Sequence, residues 1–263
     1  MFKAFLRFDA GGKLIAVSAM LLVIIMVKPF LKNDSGNARL YQDACVRAQT
    51  VAGMEHNAAE AKLDEIAAIC AEHDVPLIED AAEALGSEYN GQKCGTLGRF
   101  GALSFNGNKI ITTSGGGMLL CGYEDDAKHA LKLATQAREN APWYQHEEIG
   151  YNYRMSNISA GIGRGQMKVL PLRVEQKRAI YERYCEGLKG LPVTMQPQLD
   201  CAKPNRWLST LLMDKDCGIT PTDVLKHLAE HDMEGRHLWK PMNLQPVFAS
   251  APFVKVNEEA VCD

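Results

Sequence analysis

Residues 58–121 alternate helix-like and strand-like segments, and this rhythm limits the fold more than any other feature of the chain. From Ala58 to His73, Ala61, Ile66, Ile69 and Cys70 recur near helical spacing. Val75, Pro76, Leu77 and Ile78 then read as a short buried strand that ends at Glu79 and Asp80. Helix, short loop and apolar strand in this order predict an α/β domain with a mostly parallel sheet. In such sheets ligands sit beyond the carboxyl ends of the strands, which places Asp80 well for chemistry.

A glycine-rich stretch follows, from Gly86 to Gly107. Ala102 to Phe105 is strand-like, Lys109 lies in a tight loop, and Ile110 to Thr113 leads into Ser114-Gly115-Gly116-Gly117. The glycine triplet implies backbone pressed against a neighbour, because glycine alone adopts such dihedrals freely. A plain turn is the other reading of it. Met118 to Cys121 is a further strand. A long helical pattern from Ile158 to about Leu188 is expected to break or kink at Pro171. Trp207 to Met213 reads as a strand. Thr220 is expected to cap a helix with Pro221 at its first position, running through His231, and Trp239 to Phe248 reads as loop. Three zones result: 1–55, which does not match the rest, 56–180, a large domain, and 181–263, a smaller one.

The composition is that of an ordinary globular protein, 46% apolar and 23% charged with net charge −3. Acidic and basic residues are interspersed, without the basic stripe of a nucleic-acid surface. The eight cysteines form no CxxC pair and no cluster with histidine, so neither a metal site nor a disulfide scaffold is expected. Scattered thiols fit the cytoplasm. Leu14 to Val27 is an apolar run of fourteen residues between Lys13 and Lys28, short of the ~20 a membrane span needs. A short helix is expected there, either buried or re-entrant, so a membrane contact through residues 14–27 stays open.

An aspartate at a strand end and a lysine in a glycine-rich loop suit pyridoxal 5'-phosphate. The lysine forms a Schiff base with its aldehyde, and the carboxylate keeps its ring nitrogen protonated. Longer strings are more specific. EDAAEALGSEYNGQKCGTLGRFGALSFNGNKIITTSGGGMLL at 79–120, EIGYNYRMSNISAGIGRGQM at 148–167 and GRHLWKPMNLQPVF at 235–248 resemble, in order, the DegT/DnrJ/EryC1/StrS family of sugar aminotransferases. The resemblance implies a fold-type I (aspartate aminotransferase-like) transferase, with an incomplete large domain and a partial small one.

It also implies roles. Lys109 would bind the cofactor and move the proton, Asp80 would face the ring nitrogen, Glu83 would lie near the ring, and Ser104 would bind the phosphate. Asn152 and Arg154 lie in a segment that reaches a neighbour's cofactor in relatives, which implies a homodimer with shared active sites. Arg236, Trp239 and Lys240 would line a nucleotide-sugar pocket, with Asn243 where relatives often have histidine. Each has a plainer reading: Asp80 as a helix cap, Ser104 as a polar strand residue, Glu83 and Lys109 as surface groups, Arg154 in an ion pair. Trp143, Tyr144 and His146 read as packing residues. ARENAPWYQHEEIGYNYRMSN resembles the enzymes that aminate C4 of a UDP-linked 4-keto-6-deoxy-N-acetylhexosamine, with glutamate as donor. A dehydratase of this family is disfavoured because Lys109 is kept.

The resemblance stops near residue 58, and no counterpart of the family's Ser-Gly-Thr phosphate loop is found in 1–57; Asn33 to Asn37 is the one polar glycine loop there. Asn257 to Asp263 leads into further small-domain structure in relatives. The chain therefore reads as an interior portion of the family. Residues 5–50 loosely resemble the membrane-inserted start of bacterial phosphoglycosyl transferases, without their catalytic acids. The rival readings are a catalytically inactive fragment and a membrane-associated fusion remnant.

Overall fold

The computed structural model describes residues 63–240, 244–248 and 250, and the backbone of two strands, β1 (Leu14–Val17) and β2 (Leu22–Met26). Residues 58–62, the loop at 33–37, Asn243, Asn257 to Asp263 and the rest of the 5–50 resemblance lie outside the described residues.

Helix α1 (Leu63–Glu72) buries Leu63, Ile66 and Cys70 and keeps Asp64 and Glu65 in its first turn, where the helix dipole favours acids. The chain then reverses through Asp74, at φ 51°, and Val75 donates to the Cys70 carbonyl at 2.8 Å. Strand β3 (Leu77–Asp80) comes next, starting two residues later than its apolar run suggests and ending at Asp80 as read. Leu63, Ile66, Cys70, Val75, Leu77, Ala81, Ala84, Tyr89, Cys94 and Leu103 form one buried cluster.

A small hairpin follows β3, made of β4 (Glu88–Tyr89) and β5 (Gln92–Lys93). Asn90 and Gly91 both have positive φ, as a two-residue hairpin turn requires. Strand β6 (Phe100–Ser104) and strand β7 (Gly117–Cys121) complete the main sheet, in the order β1-β2-β3-β6-β7. Only β3 and β6 run parallel in it; the other neighbours are antiparallel. The sheet is thus mixed where a mostly parallel one was expected. Residues 105–116 hold no helix, and without a crossover β7 can return only antiparallel to β6.

The apolar run at 14–27 also differs from expectation. Its described parts are antiparallel strands, with β2 paired to β3 from Leu22 opposite Asp80 to Ile25 opposite Leu77. Ile15, Val17, Val23, Ile24 and Ile25 are β-branched, which favours strands over helix. Among the described residues no helix is long and apolar enough to cross a membrane.

Helix α2 (Glu124–Ala134) opens with three acids, and helix α3 (Asn157–Met167) is capped by Ser156, whose hydroxyl accepts from the Ser159 amide at 3.1 Å. The expected break falls at residues 168–169, and helix α4 (Leu170–Gly187) restarts with Pro171 in its first turn. Strand β8 (Val193–Met195) pairs with β10 (Leu211–Met213), and β9 (Ala202–Lys203) extends the hairpin at β4. Helix α5 (Pro221–Glu230) starts as read, with Thr220 and Asp223 forming a reciprocal cap, and ends one residue before His231. A 3-10 turn at Pro246–Phe248 interrupts the terminal loop.

The strand expected over Trp207 to Met213 begins only at Leu211. Just before it Arg206 takes φ 54°, and the Asn205 side chain accepts from the Trp207 amide at 2.8 Å, a turn that carries into Trp207. Trp207 is therefore buried in a turn.

Candidate active site

Strand β3 delivers two carboxylates of opposite duty. Glu79 is fully buried and faces inward, where its oxygens accept from the amides of Gly95 (2.7 Å), Leu97 (2.6 Å) and Gly98 (2.7 Å). This bond set fixes the 95–98 loop against the sheet. Gly101 lies under that loop so closely that a Cβ there would stand 1.9 Å from the Gly95 carbonyl oxygen. Asp80 emerges at the carboxyl end of β3, partly buried, and accepts from the Ala82 amide at 3.1 Å. Burial pushes its carboxyl above the ordinary range and Glu83 adds to this, while the Ala82 amide and Lys109 oppose it.

Lys109 sits in the loop between β6 and β7. Its amide donates to the Asn106 carbonyl at 3.1 Å, and the amides of Phe105 and Thr113 bond Gly116 and Phe105 across the loop base, both at 3.0 Å. The glycine run behaves as expected at two positions. Gly116 has φ 87°, and a Cβ on Gly117 would lie 2.3 Å from the Leu103 carbonyl oxygen. The Lys109 ammonium donates to Glu83 at 3.1 Å and lies 4.1 Å above the Trp207 ring, with its side chain only 13% exposed. Ser104, buried at the end of β6, accepts from the Asn106 amide at 3.3 Å, so its own proton is left to donate.

The structure therefore brings Glu83 and Lys109 into contact, with Asp80 close enough to feel both charges. Trp239 joins them indirectly, stacked on Trp207 at 6.2 Å between ring centres. Arg236 and Lys240 do not join: Arg236 pairs with Glu234 at 2.8 Å, and both are exposed. Asn152 and Arg154 are exposed on the segment before α3, where Asn152 bridges to Thr135 and Met155 packs near Gly116.

Trp207 and Asn205 were not singled out from the sequence. Trp207 donates from Nε1 to the Asn108 carbonyl at 2.6 Å, and Asn205 donates to the carbonyls of Glu83 (2.8 Å) and Leu85 (2.9 Å). Together they tie the Glu83 turn to the lysine loop. The available signal was the Pro204-Asn205 start, which favours a turn over a strand.

Comparisons with known proteins agree with this geometry. Residues 55–262 match the profile of the DegT/DnrJ/EryC1/StrS aminotransferase family. EpsN of Bacillus subtilis (strain 168), named as a pyridoxal phosphate-dependent aminotransferase, is 51% identical over 205 residues, covering 77% of this chain and 52% of that protein. The GDP-perosamine synthase of Vibrio cholerae is 33% identical over 180 residues, covering 68% of this chain and 49% of that one. Among solved structures, the aminotransferase TlmJ from Streptoalloteichus hindustanus aligns with a TM-score of 0.65 at 29% identity, over 70% of this chain and 50% of that one. The chain spans about half the length of the curated relatives it matches.

The class these features define is the fold-type I, pyridoxal phosphate-dependent transferase. The chain belongs to the DegT/DnrJ/EryC1/StrS aminotransferase family, a family of sugar aminotransferases. The residues present fit the family's cofactor. Asp80 is a desolvated carboxylate that a protonated ring nitrogen would satisfy, and Lys109 is a shielded amine beside a proton-accepting carboxylate.

Proposed function

We propose that this site holds pyridoxal 5'-phosphate and passes an amino group from glutamate to a nucleotide-linked keto sugar, at C4 of a UDP-4-keto-6-deoxy-N-acetylhexosamine. The observation that carries the reading is the Lys109 ammonium, held against Glu83 and over Trp207 at the mouth of the strand that ends in Asp80. The cofactor, when bound, supplies an electron sink for the pair left on carbon after proton removal.

The protein's groups do the rest. Lys109 must lose a proton to act as a nucleophile through Nζ, and Glu83 Oε1, at 3.1 Å, is placed to take it. Once freed, the same amine is the base that removes a proton from the substrate carbon and the acid that returns it. Asp80, kept partly dry, holds a positive ring nitrogen by charge. Ser104 offers its hydroxyl proton to the phosphate, a charge-assisted bond. Arg236, Trp239 and Lys240 serve the nucleotide sugar, with Trp239 anchored on Trp207. Asn152 and Arg154, exposed in one chain, serve the site of a second copy in a homodimer. Residues 56–180 form the cofactor-holding part and 181–263 the smaller part of this arrangement.

The test is a visible spectrum after adding pyridoxal phosphate, beside Lys109→Ala. A band that needs Lys109 and is bleached by glutamate supports the reading, and a band equal in both proteins refutes it. Amination of the UDP-4-keto sugar, rather than of its GDP counterpart, decides the acceptor.

A further inference from the structure

The last turn of α5 carries a second set of ligating side chains that the Lys109 site does not use. His227, Glu230 and His231 place their candidate ligand atoms within 4.8 Å of one another. The spacing His-x-x-Glu-His sets two imidazoles at i and i+4, on one face of the helix. Their ring centres are 4.5 Å apart, and His227 Nδ1 lies 3.4 Å from Glu230 Oε2. His231 Nδ1 is 2.9 Å from the His227 carbonyl oxygen. A carbonyl only accepts, so Nδ1 carries the proton and a neutral His231 presents the lone pair of Nε2. Metal-bound histidines are oriented in the same way, by a backbone carbonyl on the other ring nitrogen. All three residues are exposed, and they sit at the helix end whose dipole attracts cations.

These residues also stand where the chain turns back on itself. Beyond Glu230 the backbone reverses through Asp232, at φ 56°, with Met233 donating to the Leu228 carbonyl at 2.9 Å. Gly235 then lies so close to α5 that a Cβ would stand 2.6 Å from Leu225 Cδ2, and His237 Nε2 is 3.3 Å from Thr222 Oγ1. Residues 232–237 thus run back along α5 and lead to Trp239, stacked on Trp207.

We propose that His227, Glu230 and His231 form a surface site for a divalent transition ion of the nickel, copper and zinc group. Two imidazoles and one carboxylate suit these ions, whereas magnesium and calcium take all-oxygen sets. The bound ion pins the end of α5 at the turn that launches the 232–239 segment. The proposal does not depend on the Lys109 site, and cysteine spacing gave no hint of it because no thiol takes part.

The experiment uses the full chain without an affinity tag, its accessible thiols alkylated with iodoacetamide, and Ni²⁺ as the probe. Ni²⁺ is titrated at pH 8 in competition with a chromogenic chelator, because binding needs neutral imidazole. Removing ligands must cost at least the roughly 10–100-fold that loss of a second-shell partner costs. The His227→Asn/His231→Asn chain should therefore bind at least about tenfold more weakly than the parent, while His129→Asn binds as the parent does. Matching far-ultraviolet dichroism of the variants shows that the fold is kept. Equal affinity in the parent and the double variant, or an equal loss in His129→Asn, overturns the proposal.

Discussion

Lys109 Nζ lies 4.1 Å above the centre of the Trp207 ring, and Nε1 of the same ring donates to the carbonyl of Asn108 at 2.6 Å. One indole thus grips both the side-chain end of the lysine and the backbone beside it. The hydrogen bond aims the loop, and the ring face holds the charge. Trp207→Phe keeps a ring but loses the donor, which should cost about 1–2 kcal/mol of stability. Trp207→Ala should cost about 3–5 kcal/mol. Urea unfolding of both variants checks this. No loss in Trp207→Phe would mean that the indole N–H does not hold the loop.

Asp80 gives a pH test with a definite sign. A carboxyl whose folded pKa is raised binds its proton more tightly when folded, so its charge costs stability once pH rises through the folded pKa. Without cofactor, Asp80→Asn should melt above the parent at pH 7. The difference should shrink as pH falls toward the ordinary value of 3.8. The same variant should lose affinity for pyridoxal phosphate, since a neutral amide cannot hold a positive ring nitrogen. Melting curves from pH 4 to pH 7 check the first part and a cofactor titration the second.

Glu79 is structural, although it adjoins Asp80. Glu79→Ala strands three buried or part-buried amides, those of Gly95, Leu97 and Gly98, and should cost about 3 kcal/mol or more. Glu79→Gln should fall between, because one of its two oxygens becomes a donor facing a donor. Chemical denaturation ranks the three proteins.

Gly101→Ala should also unfold the loop it supports. Its methyl would stand 1.9 Å from the Gly95 carbonyl oxygen, backbone that Glu79 already holds in place. A loss of about 3 kcal/mol, at the upper end of overpacking costs, is expected in denaturation. Gly107→Ala, with open space around it, is the control and should change little.

The sequence showed some of this and hid the rest for physical reasons. The places of Asp80 at a strand end and Lys109 in a loop before a glycine run were visible because such features leave local signals, whereas the roles expected of them came from the longer strings. Thr220 and Pro221 announced α5 for the same reason, since a cap is written within four residues. Trp207 was hidden because its role depends on Asn108 and Lys109, far away in the chain, and because an apolar run after it resembled a strand. Asn205 and Arg206, the latter at φ 54°, turn the chain just before that run, and few non-glycine residues advertise such a backbone. Strand direction was hidden as well: β7 runs antiparallel because its connection to β6 lacks a helix, which apolar periodicity does not reveal. The run at 14–27 was long enough for a helix, and its β-branched residues were the better guide.

The most direct test of the account is chemical marking of the lysine. The chain is incubated with pyridoxal phosphate, reduced with borohydride, digested and mapped by mass spectrometry. The account predicts that the reduced pyridoxyl group lies on Lys109, at a cofactor concentration that leaves the exposed lysines Lys93 and Lys128 unmarked. Marking spread over the surface lysines, with Lys109 no more reactive than they are, would contradict it.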